Sequence, residues 1–264
     1  MEEQDTNSLE ARVQDSPVKP WAPDPPDMRS SAVIAAMDPK PLHFSLNSQV
    51  YRFKEEPKVY KAGATQREFD FLKDAGDCAV EVLGRSLWKD MEGKIQVTGI
   101  IMSLETPFDP KTIQRSQRKG FMEQIISIVH ELHSKGIIHG DVKPANFLLC
   151  ADGRLRMCDF SESLRVDEDP SEWEGVTTTN YVSPYRTKNW PDLTDPPPTI
   201  EDDLYGVGVT IWELYTGKVP FEDWYIDDIM WRLHRGETVD VNEVEDEDAR
   251  NTICQYLRYG GAKI

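Results

Sequence analysis

The chain has 264 residues and sets 30 Lys plus Arg against 47 Asp plus Glu, a formal net charge of −17. Such an acidic balance argues against nucleic acid as a partner, because phosphate binding needs concentrated positive charge. No apolar run approaches the ~18 residues of a membrane span, and the opening Met1-Glu2-Glu3-Gln4-Asp5 has the opposite charge to a secretory signal. A protein without membrane association is expected, inside the cell in the cytoplasm or nucleus. Cys78, Cys150, Cys158 and Cys254 form no C-x-x-C pair, and the five His give no ligand-spaced group beyond His130 and His133. Free thiols in a reducing compartment fit better than structural zinc.

Residues 1–41 carry seven Pro and few large apolar residues apart from Trp21, which reads as a disordered, Pro-rich, acidic leader. From residue 42 onward, β-like runs follow at 42–46, 49–53, 58–62, 79–83 and 96–103. A short helical pattern at 65–75 lies between the third and fourth, with Phe69, Leu72 and Ala75 on one face. The pattern predicts a small five-stranded lobe with one helix over 42–104. Beyond it, Phe121, Ile125, Ile126, Val129 and Leu132 mark an amphipathic helix over 113–134, closed by Gly136. Asp152-Gly153 joins two short strands as a hairpin turn. Helices are predicted over 202–216, 226–235 and 246–259, so 105–264 forms a mainly helical lobe.

One constellation carries chemistry. His139-Gly140-Asp141-Val142-Lys143-Pro144-Ala145-Asn146 precedes the hairpin, and Cys158-Asp159-Phe160-Ser161 follows it. These stretches resemble the H-R-D-x-K-x-x-N catalytic loop and the D-F-G motif of eukaryotic-type protein kinases. Thr178-Thr179-Asn180-Tyr181-Val182-Ser183-Pro184 is similar to the family's substrate-holding stretch. Asp203-Leu204-Tyr205-Gly206-Val207-Gly208 is similar to the buried helix whose Asp fastens the catalytic loop. The resemblance implies an α+β, two-lobed fold with a small antiparallel sheet lobe and a helical lobe that lacks the family's last helices.

It also implies ATP-dependent, Ser/Thr-directed transfer to a protein. Asp141 would be the base, Lys143 would steady the transferring phosphate, and Asn146 and Asp159 would hold Mg²⁺. Val59-Tyr60-Lys61 matches the strand that carries the phosphate-pairing Lys, and Glu68 is the partner expected for Lys61. Met102 stands at the gatekeeper place, and backbone groups of Ser103, Leu104 and Glu105 would bind adenine. His139, Thr178 and Asp203 take positioning roles.

Four positions depart from the family pattern. The stretch 44–53 has no glycine, Gly140 stands where the catalytic-loop Arg is expected, Ser161 ends the D-F-G motif, and Tyr185 replaces the Glu of A-P-E. In this it resembles the short, divergent kinase-like proteins of fungi. Two other readings fit some of these residues: a pseudokinase scaffold without transfer, and a small-molecule kinase of the aminoglycoside or choline type. Asp167, Glu168, Asp169, Glu172 and Glu174 give the segment before Thr178 an acidic character that would draw a basic substrate.

Overall fold

The computed structural model describes residues 27–44, 48–173, 175, 178–190 and 196–264. The small lobe is a six-stranded sheet in the order β1-β5-β6-β4-β3-β2. Its strands are β1 (Asp27–Arg29), β2 (Met37–Phe44), β3 (Gln49–Phe53), β4 (Lys58–Ala62), β5 (Val82–Lys89) and β6 (Ile95–Ser103). All neighbours are antiparallel except β1 and β5. Helix α1 (Ser30–Ala36) precedes β2, and helix α2 (Gln66–Ala75) follows β4.

Three expectations for this lobe need correction. The leader does not extend to residue 41, because 27–41 form a strand, a helix and most of β2. Proline did not prevent this: Pro39 and Pro41 lie in β2, an edge strand, where a missing N–H on the open side breaks no ladder. The sheet therefore has six strands and the lobe two helices, since α1 buries Val33 against Phe53, Tyr60 and Ile101 on one face of the sheet. The strand expected at 79–83 starts at Val82, after a 3-10 turn over Gly76–Cys78. Residues 1–26, and with them Trp21 and five of the Pro, lie outside the described residues.

The large lobe is built on α3 (Arg118–Ser134) and α4 (Ile200–Thr216), joined by α5 (Ile226–His234) and α6 (Glu247–Tyr259). Helix α3 starts later than 113 because the chain first makes 3-10 turns at Pro110–Thr112 and Arg115–Gln117. Its buried face is Phe121, Met122, Ile125, Ile128, Val129 and Leu132. Between the lobes run short strands: β7 (Thr106–Pro107) with the hairpin β9 (Phe147–Leu149) and β10 (Leu155–Met157), and β8 (Ile137–Ile138) with β11 (Leu164–Arg165). One apolar core runs from α2 through α3 to α4 and α6. It is the platform on which the loops between β8 and α4 rest.

Candidate active site

Helix α4 is fixed before it can present anything. Thr199 caps it, accepting from the Asp202 amide at 3.3 Å, while the Asp202 carboxylate accepts from the Thr199 amide at 2.8 Å. Such a cap contributes about 1 kcal/mol. The next residue, Asp203, points its buried carboxylate at the loop after β8. Oδ2 accepts from the His139 amide at 2.7 Å and Oδ1 from the Gly140 amide at 2.8 Å. His133 Nε2, from the last turn of α3, lies 2.9 Å from Oδ2. Burying a carboxylate is costly unless it is hydrogen-bonded, and here three groups satisfy it. Gly206, one turn along, lets the loop approach: a Cβ there would come within 2.8 Å of the Val142 carbonyl oxygen.

Thus anchored, the loop presents Asp141. Its Oδ2 accepts from Asn146 Nδ2 at 2.9 Å and pairs with Lys143 Nζ at 2.6 Å. Its Oδ1 accepts from the Thr178 hydroxyl at 2.8 Å, and that hydroxyl accepts from Lys143 Nζ at 2.6 Å. The structure thus brings Asp141, Lys143, Asn146 and Thr178 into one hydrogen-bonded set. Asn146 Nδ2 also donates to the Asp141 carbonyl at 2.7 Å, which turns the amide oxygen away from the loop. The Cys158 amide donates to the Asn146 carbonyl at 2.9 Å and so brings Asp159 beside Asn146.

Asp159 sits at φ +61 and faces Lys61, whose Nζ lies 2.7 Å from Oδ1. The same Nζ is 2.5 Å from Glu68 Oε1, although only seven positions separate the two residues. The turn at 63–65, followed immediately by α2, folds Glu68 back over β4, and both Lys61 (5% exposed) and Glu68 (3%) are buried. Burial opposes the Lys61 charge, but Glu68 and Asp159 outweigh it and the ammonium pKa rises. Burial also raises the Glu68 carboxyl. For Asp159, burial works upward, yet the Lys61 charge and hydrogen bond and the Ser161 hydroxyl bring it down to about 2. Ser161 Oγ donates to Asp159 Oδ1 at 2.8 Å, so the residue that replaces glycine holds the carboxylate. Phe160 is buried against His139, ring centroids 4.8 Å apart.

At the junction of the lobes, Met102 is buried, and Leu104 donates its amide to the Pro57 carbonyl at 2.9 Å. The Ser103 carbonyl shares a trans peptide with the Leu104 amide and so faces the opposite way from that bond. The 45–47 part of the glycine-free turn lies outside the described residues, as do Glu174 and Thr177.

Two substitutions acquire physical reasons. Gly140 has φ +83, and a Cβ there would meet the Glu162 carbonyl oxygen at 2.5 Å, so an arginine cannot occupy this backbone. Tyr185 donates its amide to the Gly260 carbonyl at 3.0 Å and lays its ring against Gly261, where the chain turns after α6. His133 was missed in the sequence, where it showed only as a neighbour of His130; its bond to Asp203 spans 70 positions and carries no local signal. His130 is engaged elsewhere, with its Nε2 2.7 Å from the Tyr256 hydroxyl.

Among the described residues, no group of three or more His, Cys, Asp or Glu is arranged to hold a metal. No helix among them is long and apolar enough to cross a membrane, and all four Cys are free thiols.

A buried Asp anchoring a loop that carries Asp, Lys and Asn, beside a lysine paired with two carboxylates, defines a phosphotransferase-type two-lobed site. The family model described as the protein kinase domain matches residues 96–257, more than half the chain, and this chain belongs to that family. The serine/threonine-protein kinase mos of Patiria pectinifera is 30% identical over 162 residues, covering 59% of this chain and 46% of that one. The dual specificity protein kinase Ttk of Danio rerio is 31% identical over 156 residues, 56% of this chain and 16% of that one. Human dual specificity mitogen-activated protein kinase kinase 7 is 34% identical over 100 residues, 38% of this chain and 24% of that one. The matched stretch spans less than half the length of each of these relatives. Strands β1 to β5 and helix α2 lie outside the matched region.

Proposed function

We propose that this protein transfers the γ-phosphate of ATP to a serine or threonine hydroxyl of a protein substrate, with Asp141 as the base. The observation that carries this reading is the acceptor geometry at Asp141. A carboxylate oxygen accepts about two hydrogen bonds. Among the described residues, Oδ2 takes Asn146 and Lys143, whereas Oδ1 takes Thr178 alone. One lone pair of Oδ1 is thus free for an incoming hydroxyl, in a site whose two cations, Lys143 and Lys61, belong beside phosphate oxygens.

In the reaction, the substrate oxygen bonds to the γ-phosphorus as its proton passes to Asp141. The bond from phosphorus to the β–γ bridging oxygen breaks, and ADP leaves. Lys143 stands where charge grows on the transferring group, and Thr178 fixes both Lys143 and Asp141. Position and charge account for most of what this chemistry asks of a protein.

The residues present fit a magnesium ion. Asn146 spends its amide protons on Asp141 and so keeps its oxygen as a ligand. Asp159 engages Lys61 and Ser161 through Oδ1, which leaves Oδ2. Two protein oxygens suit an ion that otherwise takes water and phosphate oxygens. When bound, Mg²⁺ would neutralise and orient the phosphates. The Ser103 carbonyl and the Glu105 amide would meet the adenine edge, with Met102 behind them. The exposed Asp167 and Asp169 favour a basic substrate, and ATP use with four free thiols suits the cytoplasm or nucleus.

The pseudokinase reading keeps one observation in its favour, the glycine-free run 44–53, which denies the phosphates a close backbone cradle. The small-molecule kinase reading gives way to the family match and to the Lys143–Thr178 contact. Thermal shift with Mg-ATP and transfer from radiolabelled ATP decide between kinase and pseudokinase. Wild type is expected to be stabilised by Mg-ATP, and Asp159→Asn to lose that stabilisation. Asp141→Ala is expected to bind nucleotide as wild type does but to lose transfer by about 10²–10⁴-fold. No transfer by wild type to any protein substrate would overturn the proposal.

A further inference from the structure

Helix α2 does more than carry Glu68. Arg67, Phe71 and Asp74 recur at i, i+4 and i+7 along one face, and all three meet the segment that follows Phe160. Arg67 grips Glu168 with both terminal nitrogens, Nη1 on Oε1 and Nη2 on Oε2, the latter at 2.8 Å. The same Nη2 donates to the Ser163 carbonyl at 2.8 Å. Arg165 pairs with Asp74. Both guanidinium groups lie over the buried Phe71 ring, 5.0 and 4.9 Å from its centre. Glu168 is held in turn: its Oε2 accepts from the Arg165 amide at 3.1 Å, and its own amide donates to the Arg165 carbonyl at 3.1 Å. Strand β11, which contains Arg165, pairs with β8, and β8 leads directly into His139.

We infer that Glu168 is a positioning residue for phosphoryl transfer: with Arg67 it locks helix α2 to the post-Asp159 segment and so holds Glu68 against Lys61. The inference rests on the kinase reading above. A lone exposed ion pair holds little, but this one is bidentate, shares its arginine with a backbone carbonyl and is flanked by a second pair stacked on the same ring. A forked guanidinium on two oxygens of one anion is also the contact a phosphate would make. Here a carboxylate encoded in the chain makes it, so the segment needs no modification to be ordered. The lock reaches both halves of the site, since Glu68 follows Arg67 in one rigid helix and β8 carries the order to the catalytic loop.

The test uses the full chain, as wild type, Arg67→Gln, Glu168→Gln and the double variant, with Mg-ATP and a protein substrate. Each single variant is expected to lose about tenfold in kcat with the KM for the protein substrate unchanged, and the double variant to lose no more than either single. Phosphatase treatment of wild type should leave the rate unchanged. In parallel, hydrogen exchange should accelerate in α2 in each single variant while α4 stays protected, a split that general destabilisation would not produce. Unchanged α2 exchange overturns the inference whatever the rates do, and so does a wild-type rate that collapses on dephosphorylation. If wild type transfers nothing, the kinase reading fails while faster α2 exchange still upholds the lock.

Discussion

Asp203 and Glu68 are both almost wholly buried, at 2% and 3% exposed, yet they are held by different means. Asp203 accepts from two backbone amides and faces a histidine ring, all within one lobe. The Glu68 carboxylate meets a lysine ammonium and the backbone of Phe160, both on other elements, and that lysine also serves Asp159 of the other lobe. Backbone donors are placed by the fold and cannot swing away. An ion pair between a strand and a helix lasts only while the helix stays docked. The large lobe thus carries a permanent frame for Asp141, whereas the small lobe carries a contact that depends on how α2 is held.

The sharpest way to break this contrast is Asp203→Ala. Two amides would lose their acceptor at about 1–3 kcal/mol each, so a loss of roughly 2–6 kcal/mol in urea unfolding is expected, together with loss of transfer. A loss below about 1 kcal/mol would mean that the loop holds itself and the frame is not Asp203. Lys61→Met should act differently, costing Mg-ATP affinity or turnover about 10–100-fold with a smaller effect on unfolding, because a charge-assisted contact is worth about 1.5–3 kcal/mol. Lys58→Met is the control: Lys58 pairs with Glu56 at the surface, 2.5 Å away, and nucleotide titration of that variant should match wild type.

Acid titration sharpens the comparison further. Asp159 is held at about 2 in the folded chain, against ~3.9 unfolded. Its contribution is therefore complete above pH ~4 and lost as pH falls toward 2. Lys61 is raised, so its contribution persists below its unfolded value of ~10.4 and fades only as pH climbs beyond it. Between pH 5 and pH 2.5, wild type should lose more stability than Asp159→Asn; equal slopes would remove the ion pair from the account. The smallest effect expected is Val33→Ala, about 1.5 kcal/mol at ~0.8 kcal/mol per buried methylene, with kcat unchanged. No change in urea midpoint would show that α1 merely rests on the sheet.

What the sequence revealed follows the same division. The catalytic loop, the hairpin, the Asp159 motif and the Asp203 helix were legible because each is a contiguous run with a fixed internal spacing. The small lobe was legible in β3, β4 and α2, whose apolar periods are clear. It was not legible in β1, α1 and the start of β2, where small residues in α1 and the two prolines of β2 masked a segment that becomes ordered by packing Val33 on Phe53 and Tyr60. The Arg67–Glu168 and His133–Asp203 contacts were invisible for a related reason. They join residues 101 and 70 positions apart, and charged residues on a helix read equally well as a solvated face.

The backbone at Gly140 has a consequence for anyone who would rewire this protein. A side chain at that position must displace the Glu162 carbonyl, and Glu162 is followed by Ser163, which accepts from Arg67. Restoring an arginine there in a single step would disturb the very segment the arginine is meant to read. A phosphate-gated version therefore has to be assembled at the Arg67–Glu168 pair, where a donating cation already stands, by trading the built-in carboxylate for a hydroxyl that a partner kinase can modify. Any switch added to this chain would thus be built outside its catalytic loop.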